Sequence, residues 1–237
     1  MKQIPVSSLI PNSTCAFFSH TIKAQPDNMP LLDACLEKSV QLVDYEKIEE
    51  NGVRQVAFGH WAGVAGAINA LHMMGKRLLS LGHNTPLTTI NDAGGYFTSA
   101  EAKTAISRAG AEIRRGALAT TMDPLTFVIT GRGRVAQGAE EILEALGAEW
   151  IPVSELPNVS RGDNRKIYAT FVEPHDHLVH PRDATKSFPR VGTDTWDYFL
   201  SHNTEYESNF STTVAPYMSC LINCLFYSPG DPRQCFQ

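Results

Sequence analysis

Two short stretches hold residue types that could do chemistry. In Ser19-His20-Thr21-Ile22-Lys23, an imidazole and an amine lie three residues apart, just past a strand-like run at 14–18. Open α/β folds place their active-site groups beyond the carboxyl ends of strands, and His transfers protons near neutral pH. A surface His beside a Lys is the plainer alternative, and both stay open. The second stretch is Gly131-Arg132-Gly133-Arg134-Val135-Ala136-Gln137-Gly138, a Gly-x-Gly-x-x-Ala word between an apolar run at 125–129 and a helical pattern through Ile142, Leu143 and Leu146. Strand, tight turn and helix are the context that a dinucleotide fingerprint requires. Gly131 would make the turn, Gly133 would let a pyrophosphate reach the backbone, and Ala136 and Gly138 would pack the helix on its strand. Free N–H groups and the dipole at the helix start favour that anion. Arg132 and Arg134 point either to solvent or to a 2′-phosphate.

Other clusters are weaker. His175, His177 and His180 surround Asp176, yet no thiol or acid partner stands at ligand spacing, so a solvated loop without metal is expected. Cys220 and Cys224 would share a helix face, but Leu221, Ile222 and Leu225 beside them favour a buried segment. Five cysteines without a Cys-x-x-Cys pair point to reduced thiols.

The elements that must position these groups follow from periodicity. Residues 29–37 carry Leu31, Leu32, Cys35 and Leu36 on one helical face, and 40–45 is strand-like. A turn at Asn51-Gly52 precedes a strand at 53–58. The glycines of 59–66 recur at helical spacing and lack Gly-x-Gly, so they predict a tightly packed helix and not a second cofactor loop. Residues 84–97 connect, 100–109 form a helix, and strands are expected at 149–153 and 166–172. An acid about 20 residues past the glycines usually takes the ribose hydroxyls. Glu155 is the nearest carboxylate.

With 43% hydrophobic and 19% charged residues, the 237-residue chain has the composition of a soluble globular protein. A net charge of −5 leaves no basic footprint for nucleic acid, and no apolar run suits a membrane span. Neither a signal peptide nor an Arg-rich transit peptide opens the chain.

Longer words carry a resemblance. Ala-Phe-Phe-Ser-His-Thr-Ile-Lys-Ala-Gln (16–25), Asn-Met-Pro-Leu-Leu-Asp (28–33), Val-Ala-Phe-Gly-His-Trp-Ala-Gly-Val-Ala-Gly (56–66), Pro-Leu-Thr-Phe-Val-Ile-Thr-Gly-Arg-Gly (124–133) and Val-Ala-Pro-Tyr-Met-Ser-Cys-Leu-Ile-Asn (214–223) resemble the lysine–2-oxoglutarate reductase family. That is the saccharopine-forming region of aminoadipic semialdehyde synthases, within the alanine dehydrogenase and pyridine nucleotide transhydrogenase superfamily. The resemblance implies an α/β fold of two Rossmann-like parallel-sheet domains flanking a cleft, both incomplete in this chain. It divides the chain into the later part of a substrate domain (1–83), a connecting segment and helix (84–122) and a nucleotide-binding domain (123–237).

It further implies NADPH-dependent condensation of L-lysine with 2-oxoglutarate, with NADP favoured over NAD. Lys2 and His20 would be the acid/base pair. Lys23, Glu46 and Arg54 would bind substrate, and Gly131, Arg132, Gly133, Arg134, Val135 and Gly138 the cofactor. A glutamate-forming saccharopine dehydrogenase domain is the implied partner, and the mitochondrial matrix the implied compartment in animals, the cytoplasm elsewhere. Gln3 replaces the family's acid after Lys2, and the ribose acid of some relatives falls at Pro152. A non-catalytic nucleotide-binding module and an alanine dehydrogenase-like enzyme remain the alternatives.

Overall fold

Apolar runs closed by turn residues become parallel strands. The computed structural model describes residues 4–22, 24–189, 202 and 205–225. It divides into two compact units, Met1–Phe58 and Gly59–Gln237. The expected helix at 59–66 and the 84–122 segment therefore share a unit with the glycine turn.

The first unit is built on a strand–helix–strand crossover. β1 (Thr14–Phe17) pairs in parallel with β2 (Gln41–Asp44), setting Phe17 against Asp44. Parallel neighbours need a crossover, and α1 (Met29–Glu37) supplies it, with Pro30 in its first turn where no N–H is missed. Its Leu31, Ala34 and Cys35 close a small core with Leu9 and Phe17. A hairpin follows: β3 (Glu49–Glu50) and β4 (Val53–Arg54) meet through Asn51 at φ 51° and Gly52 at φ 75°. Two consecutive left-handed residues make the tight turn whose twist matches its strands. The strand expected at 53–58 thus stops at Arg54, because its partner arm is only two residues long.

The second unit stacks helices on a parallel sheet. Its elements are α2 (Gly59–Ser80), α3 (Ser99–Arg114), β5 (Leu125–Thr130), α4 (Arg134–Leu146), β6 (Glu149–Trp150) and β7 (Ile167–Val172). Then come β8 (Leu178–His180), β9 (Asp183–Ser187), β10 (Glu207–Ser208) and β11 (Cys220–Asn223). β8, β9 and β10 form a small antiparallel sheet, and the other four run parallel in the order β11-β5-β7-β6. The chain is α/β with Rossmann-like sheets, as expected. β5 is buried along its whole length: Phe127 and Ile129 face the core shared with α2, α3 and α4, and Val128 faces Leu156, Phe210 and Val214. Burial on both faces is why this strand reads as an unbroken apolar run.

Two expectations change here. The strand predicted at 149–153 is only Glu149–Trp150, since Pro152 cannot donate to a ladder. The His-rich segment is no solvated loop: Pro174–His177 is one helical turn leading into β8, and His177 is buried. Its Nδ1 meets Ser208 Oγ at 3.0 Å, its ring packs edge-on against Phe210, and burial pushes its pKa down from 6.5 to about 4. Cys220 lies in a strand and not a helix, and burial raises Cys220 and Cys224 to about 11. Cys15, Cys35, Cys220 and Cys224 are all free thiols.

α2 and α4 touch backbone to backbone. A Cβ on Gly63 would strike the carbonyl of Val135 and lie 3.0 Å from Ala139 N; one on Gly138 would strike the carbonyl of His60 and lie 2.8 Å from Val64 N. Glu141 of α4 adds a polar tie, at 2.9 Å from His60 Nε2 of α2 and 2.6 Å from Lys103 Nζ of α3. The Lys103 hydrogen bond, more than the charge of Lys103 or His60, holds its carboxyl below the usual range.

Substituting Ala at Gly63 or Gly138 should therefore lower stability by about 1–3 kcal/mol in urea unfolding. Gly66→Ala, where nothing lies within 4 Å of the new Cβ, should be neutral or stabilising by up to ~1 kcal/mol. Equal effects at the three positions would refute the close helix contact.

His177 makes stability depend on acid. Its folded pKa is lowered, so its contribution is complete above 6.5 and falls as pH drops towards about 4, while only the unfolded chain takes up the proton. The loss is on the order of 3 kcal/mol across that window. His177→Gln should flatten this part of the stability–pH curve, and an unchanged acid limb would show that another group is responsible.

Candidate functional site

Chemistry-bearing residues gather at the carboxyl ends of strands in each unit. In the first, β1 and β2 end side by side at Phe17 and Asp44. Beyond β1 the chain turns sharply, with His20 at φ 57°. A non-glycine residue there costs ~1–3 kcal/mol and persists only where its surroundings hold it. Asn28 Nδ2 donates to the His20 carbonyl at 3.0 Å. On the other side Ser19, wholly buried, donates from Oγ to Asp44 Oδ2. Asp44 Oδ1 in turn accepts the Glu46 N–H at 2.9 Å and the Ser19 N–H at 3.4 Å. One carboxylate thus ties the turn carrying His20 to the turn carrying Glu46.

The result is a converging set of charges. Glu46 is the inner member, its side chain only 14% exposed, with Oε1 3.6 Å from Arg54 Nη2 and Oε2 3.8 Å from His20 Nδ1. Oε2 is buried with no hydrogen-bond partner among the described residues. Buried carboxylate oxygens are normally satisfied, so this one is available to an incoming donor. The His20 ring is half exposed and stacks on Phe18, which also packs on Tyr45 and Phe58. The structure therefore brings His20, Glu46 and Arg54 together. Lys2 and Lys23 lie outside the described residues.

In the second unit the glycine word forms the predicted turn between β5 and α4. Gly131 has φ 79°, and a Cβ there would strike the Leu225 side chain. Gly133 is the residue before the first turn of α4, and nothing lies within 4 Å of where its Cβ would be. Open space above exposed backbone at the start of a 13-residue helix suits a pyrophosphate. Arg134 and Val135 open that helix, and Gly138 packs inward against α2. The residues present fit a dinucleotide.

Beside the turn is a cavity of about 510 Å³ lined by Arg132, Trp150, Ser154, Phe171, Glu173 and His175, among others. Arg132 Nε donates to Glu173 Oε2 at 3.2 Å, and its guanidinium carbon sits 4.2 Å above the Phe171 ring. Phe171 stacks on Trp150 with ring centroids 4.7 Å apart. Glu155, the nearest carboxylate by spacing past the glycines, does not line this cavity and accepts from Asn158 at 3.0 Å. Among the described residues no group of three or more His, Cys, Asp or Glu is placed to hold a metal ion.

Sequence reasoning passed over Asp44, Ser19, Phe171 and Glu173. The usable signal was position, since Asp44 ends β2 and Glu173 follows β7.

No protein-family model matches the chain. Alpha-aminoadipic semialdehyde synthase, mitochondrial, from Bos taurus is 46% identical over 235 residues, 98% of this chain and 24% of the relative. The protein of that name from Mus musculus is 45% identical over the same span. The Arabidopsis thaliana alpha-aminoadipic semialdehyde synthase is 36% identical over 245 residues, 98% of this chain and 22% of its own length. A solved L-alanine dehydrogenase aligns with a TM-score of 0.34 and 14% identity, covering 72% of this chain and 40% of that one. The chain spans about a quarter of the length of the curated relatives it matches, and along 98% of its own length it is a homologue of the alpha-aminoadipic semialdehyde synthases.

Proposed function

We propose that this chain serves the reductive condensation of L-lysine with 2-oxoglutarate to saccharopine, a step of lysine degradation, with NADPH as the favoured reductant. The observation that carries the reading is the convergence of His20, Glu46 and Arg54 within a segment 46% identical to an alpha-aminoadipic semialdehyde synthase. The bound nicotinamide would supply the hydride, and the protein would supply placement and charge.

Each side chain has a task that its chemistry suits. Lysine's ε-amine has an ordinary pKa near ~10.4 and must lose a proton before it attacks the keto carbon. Removing water from the resulting carbinolamine needs an acid. His20, half exposed and beside Glu46, is the residue proposed to carry these protons, with Lys2 as its partner. The unpartnered Oε2 of Glu46 suits an ammonium group of the substrate. Arg54, nearly half exposed, suits a carboxylate by bidentate pairing, and Lys23 is assigned to the same substrate. Gly131, Arg132, Gly133, Arg134, Val135 and Gly138 are assigned to the cofactor.

The relatives from cattle, rat and mouse are described as mitochondrial, which supports a matrix location if this chain comes from an animal. A glutamate-forming saccharopine dehydrogenase activity is the proposed partner in the same pathway. No helix among the described residues is long and apolar enough to cross a membrane.

Mixing the protein with L-lysine, 2-oxoglutarate and NADPH should consume NADPH only when all three are present. His20→Ala should lower kcat by about 10²–10⁴-fold, the usual contribution of a positioned proton-transfer group. NADPH consumption that ignores lysine would overturn the reading, and NADPH binding without turnover would leave only the nucleotide-binding module. Arg54→Lys should raise KM for 2-oxoglutarate about tenfold or more while KM for lysine holds, since an ammonium cannot reproduce a bidentate guanidinium contact. Equal changes in both KM values would remove Arg54 from the carboxylate role.

A further inference from the structure

The strand order places a carboxylate where spacing along the chain did not. In the usual dinucleotide fold, the strand after the glycine helix lies next to the glycine strand and ends in the ribose-binding acid. Here that strand, β6, is the edge strand, and β7 lies between it and β5 along the full six-residue ladder from Leu125–Ile167 to Thr130–Val172. The carboxyl end adjacent to the glycine turn is therefore that of β7, and the residue directly after it is Glu173. Gly131 N–H donates to the Val172 carbonyl at 3.1 Å, fixing the turn and this strand end together.

We propose that the Arg132–Glu173 pair is the element that selects between NADPH and NADH at this site, an inference that rests on the nucleotide reading above. Arg132 is the cation that receives the 2′-phosphate. Its guanidinium sits over Phe171, itself backed by Trp150, and among the described residues only Nε is engaged, by Glu173, leaving the terminal nitrogens to a ligand. The arginine is held in place before any nucleotide arrives, which reduces the ordering cost of binding. Arg134 does not line the cavity. Glu173 plays the opposing part. It competes with phosphate for Arg132 and places a second negative charge beside it, whereas the two ribose hydroxyls of NADH can donate to it. One carboxylate thus favours the unphosphorylated cofactor and one guanidinium the phosphorylated one, 3.2 Å apart. The balance between them sets the preference.

Titrating the full chain with NADPH and with NADH, followed by nucleotide fluorescence, tests this directly. Glu173→Gln should tighten NADPH by on the order of tenfold and leave NADH unchanged or weaker. Arg132→Met should weaken NADPH by a similar factor with little effect on NADH, and Arg132→Lys should fall between. In the Arg132→Met background, the gain from Glu173→Gln should be smaller than in the parent, because the competition for Arg132 is gone and only the relief of charge repulsion is left. Far-UV circular dichroism matching the parent confirms that the variants are folded. An NADPH/NADH affinity ratio unmoved by either substitution, or NADPH weakened by Glu173→Gln, would overturn the selectivity role while leaving nucleotide binding intact. A parent chain that binds neither nucleotide would overturn the nucleotide reading itself.

Discussion

The burial of β5 on both faces is the constraint on which the second unit depends. A strand with Phe127 and Ile129 on one side and Val128 on the other must be covered twice. On one side three helices do this, and they cover it closely only because Gly63 and Gly138 remove the side chains between α2 and α4. Seating α4 so tightly fixes its first turn over the end of β5, which is where Gly133 presents open backbone. The packing of apolar residues and the exposure of the glycine turn are one structural fact at two ends of one helix. β7 completes the frame on the other edge of β5 and carries Glu173 to the same end.

In the first unit a polar residue does the corresponding work. Its apolar core is small, centred on Leu9, Phe17, Leu31, Ala34 and Cys35. Beyond the ends of β1 and β2 the chain is organised by Asp44, whose two oxygens accept from Ser19 and from the Glu46 backbone. Those bonds stabilise a His20 backbone that would otherwise relax from φ 57°. They also keep Glu46 turned inward with one oxygen unsatisfied. Such a group lowers stability unless something binds it, and regions that keep that cost are where ligands are recognised.

Local patterns made much of this legible. The 3.6-residue period marked α1, the apolar run marked β5, and Gly131 through Gly138 marked the turn and the helix after it. Asn51-Gly52 announced its turn, because few other pairs tolerate two left-handed residues. What could not be read was pairing between distant segments. Nothing near Trp150 signals that β6 is an edge strand, since that depends on β7, about 20 residues later, taking the place beside β5. Spacing along the chain accordingly points to Glu155, whereas the strand order brings Glu173 beside the glycine turn. His177 failed for a related reason: histidines beside an aspartate resemble a solvated loop until a Ser208 and a Phe210 from far along the chain close over one of them.

The same reasoning separates the two kinds of charged residue in this chain. Glu141 is met by His60 and Lys103 at hydrogen-bond distance, its oxygens are occupied, and its carboxyl is held ionised by those contacts. It fastens three helices and has nothing left for a ligand. Glu46 stands 3.6 Å from Arg54 Nη2 and 3.8 Å from His20 Nδ1, too far for good hydrogen bonds, although it is the more buried of the two. If it were a structural tie, burial would favour closing those gaps, as it has for Glu141. Three polar side chains held near one another but short of contact leave room for a fourth partner between them. With Oε2 unsatisfied among the described residues and Arg54 short of contact with Oε1, Glu46 is left open where Glu141 is closed.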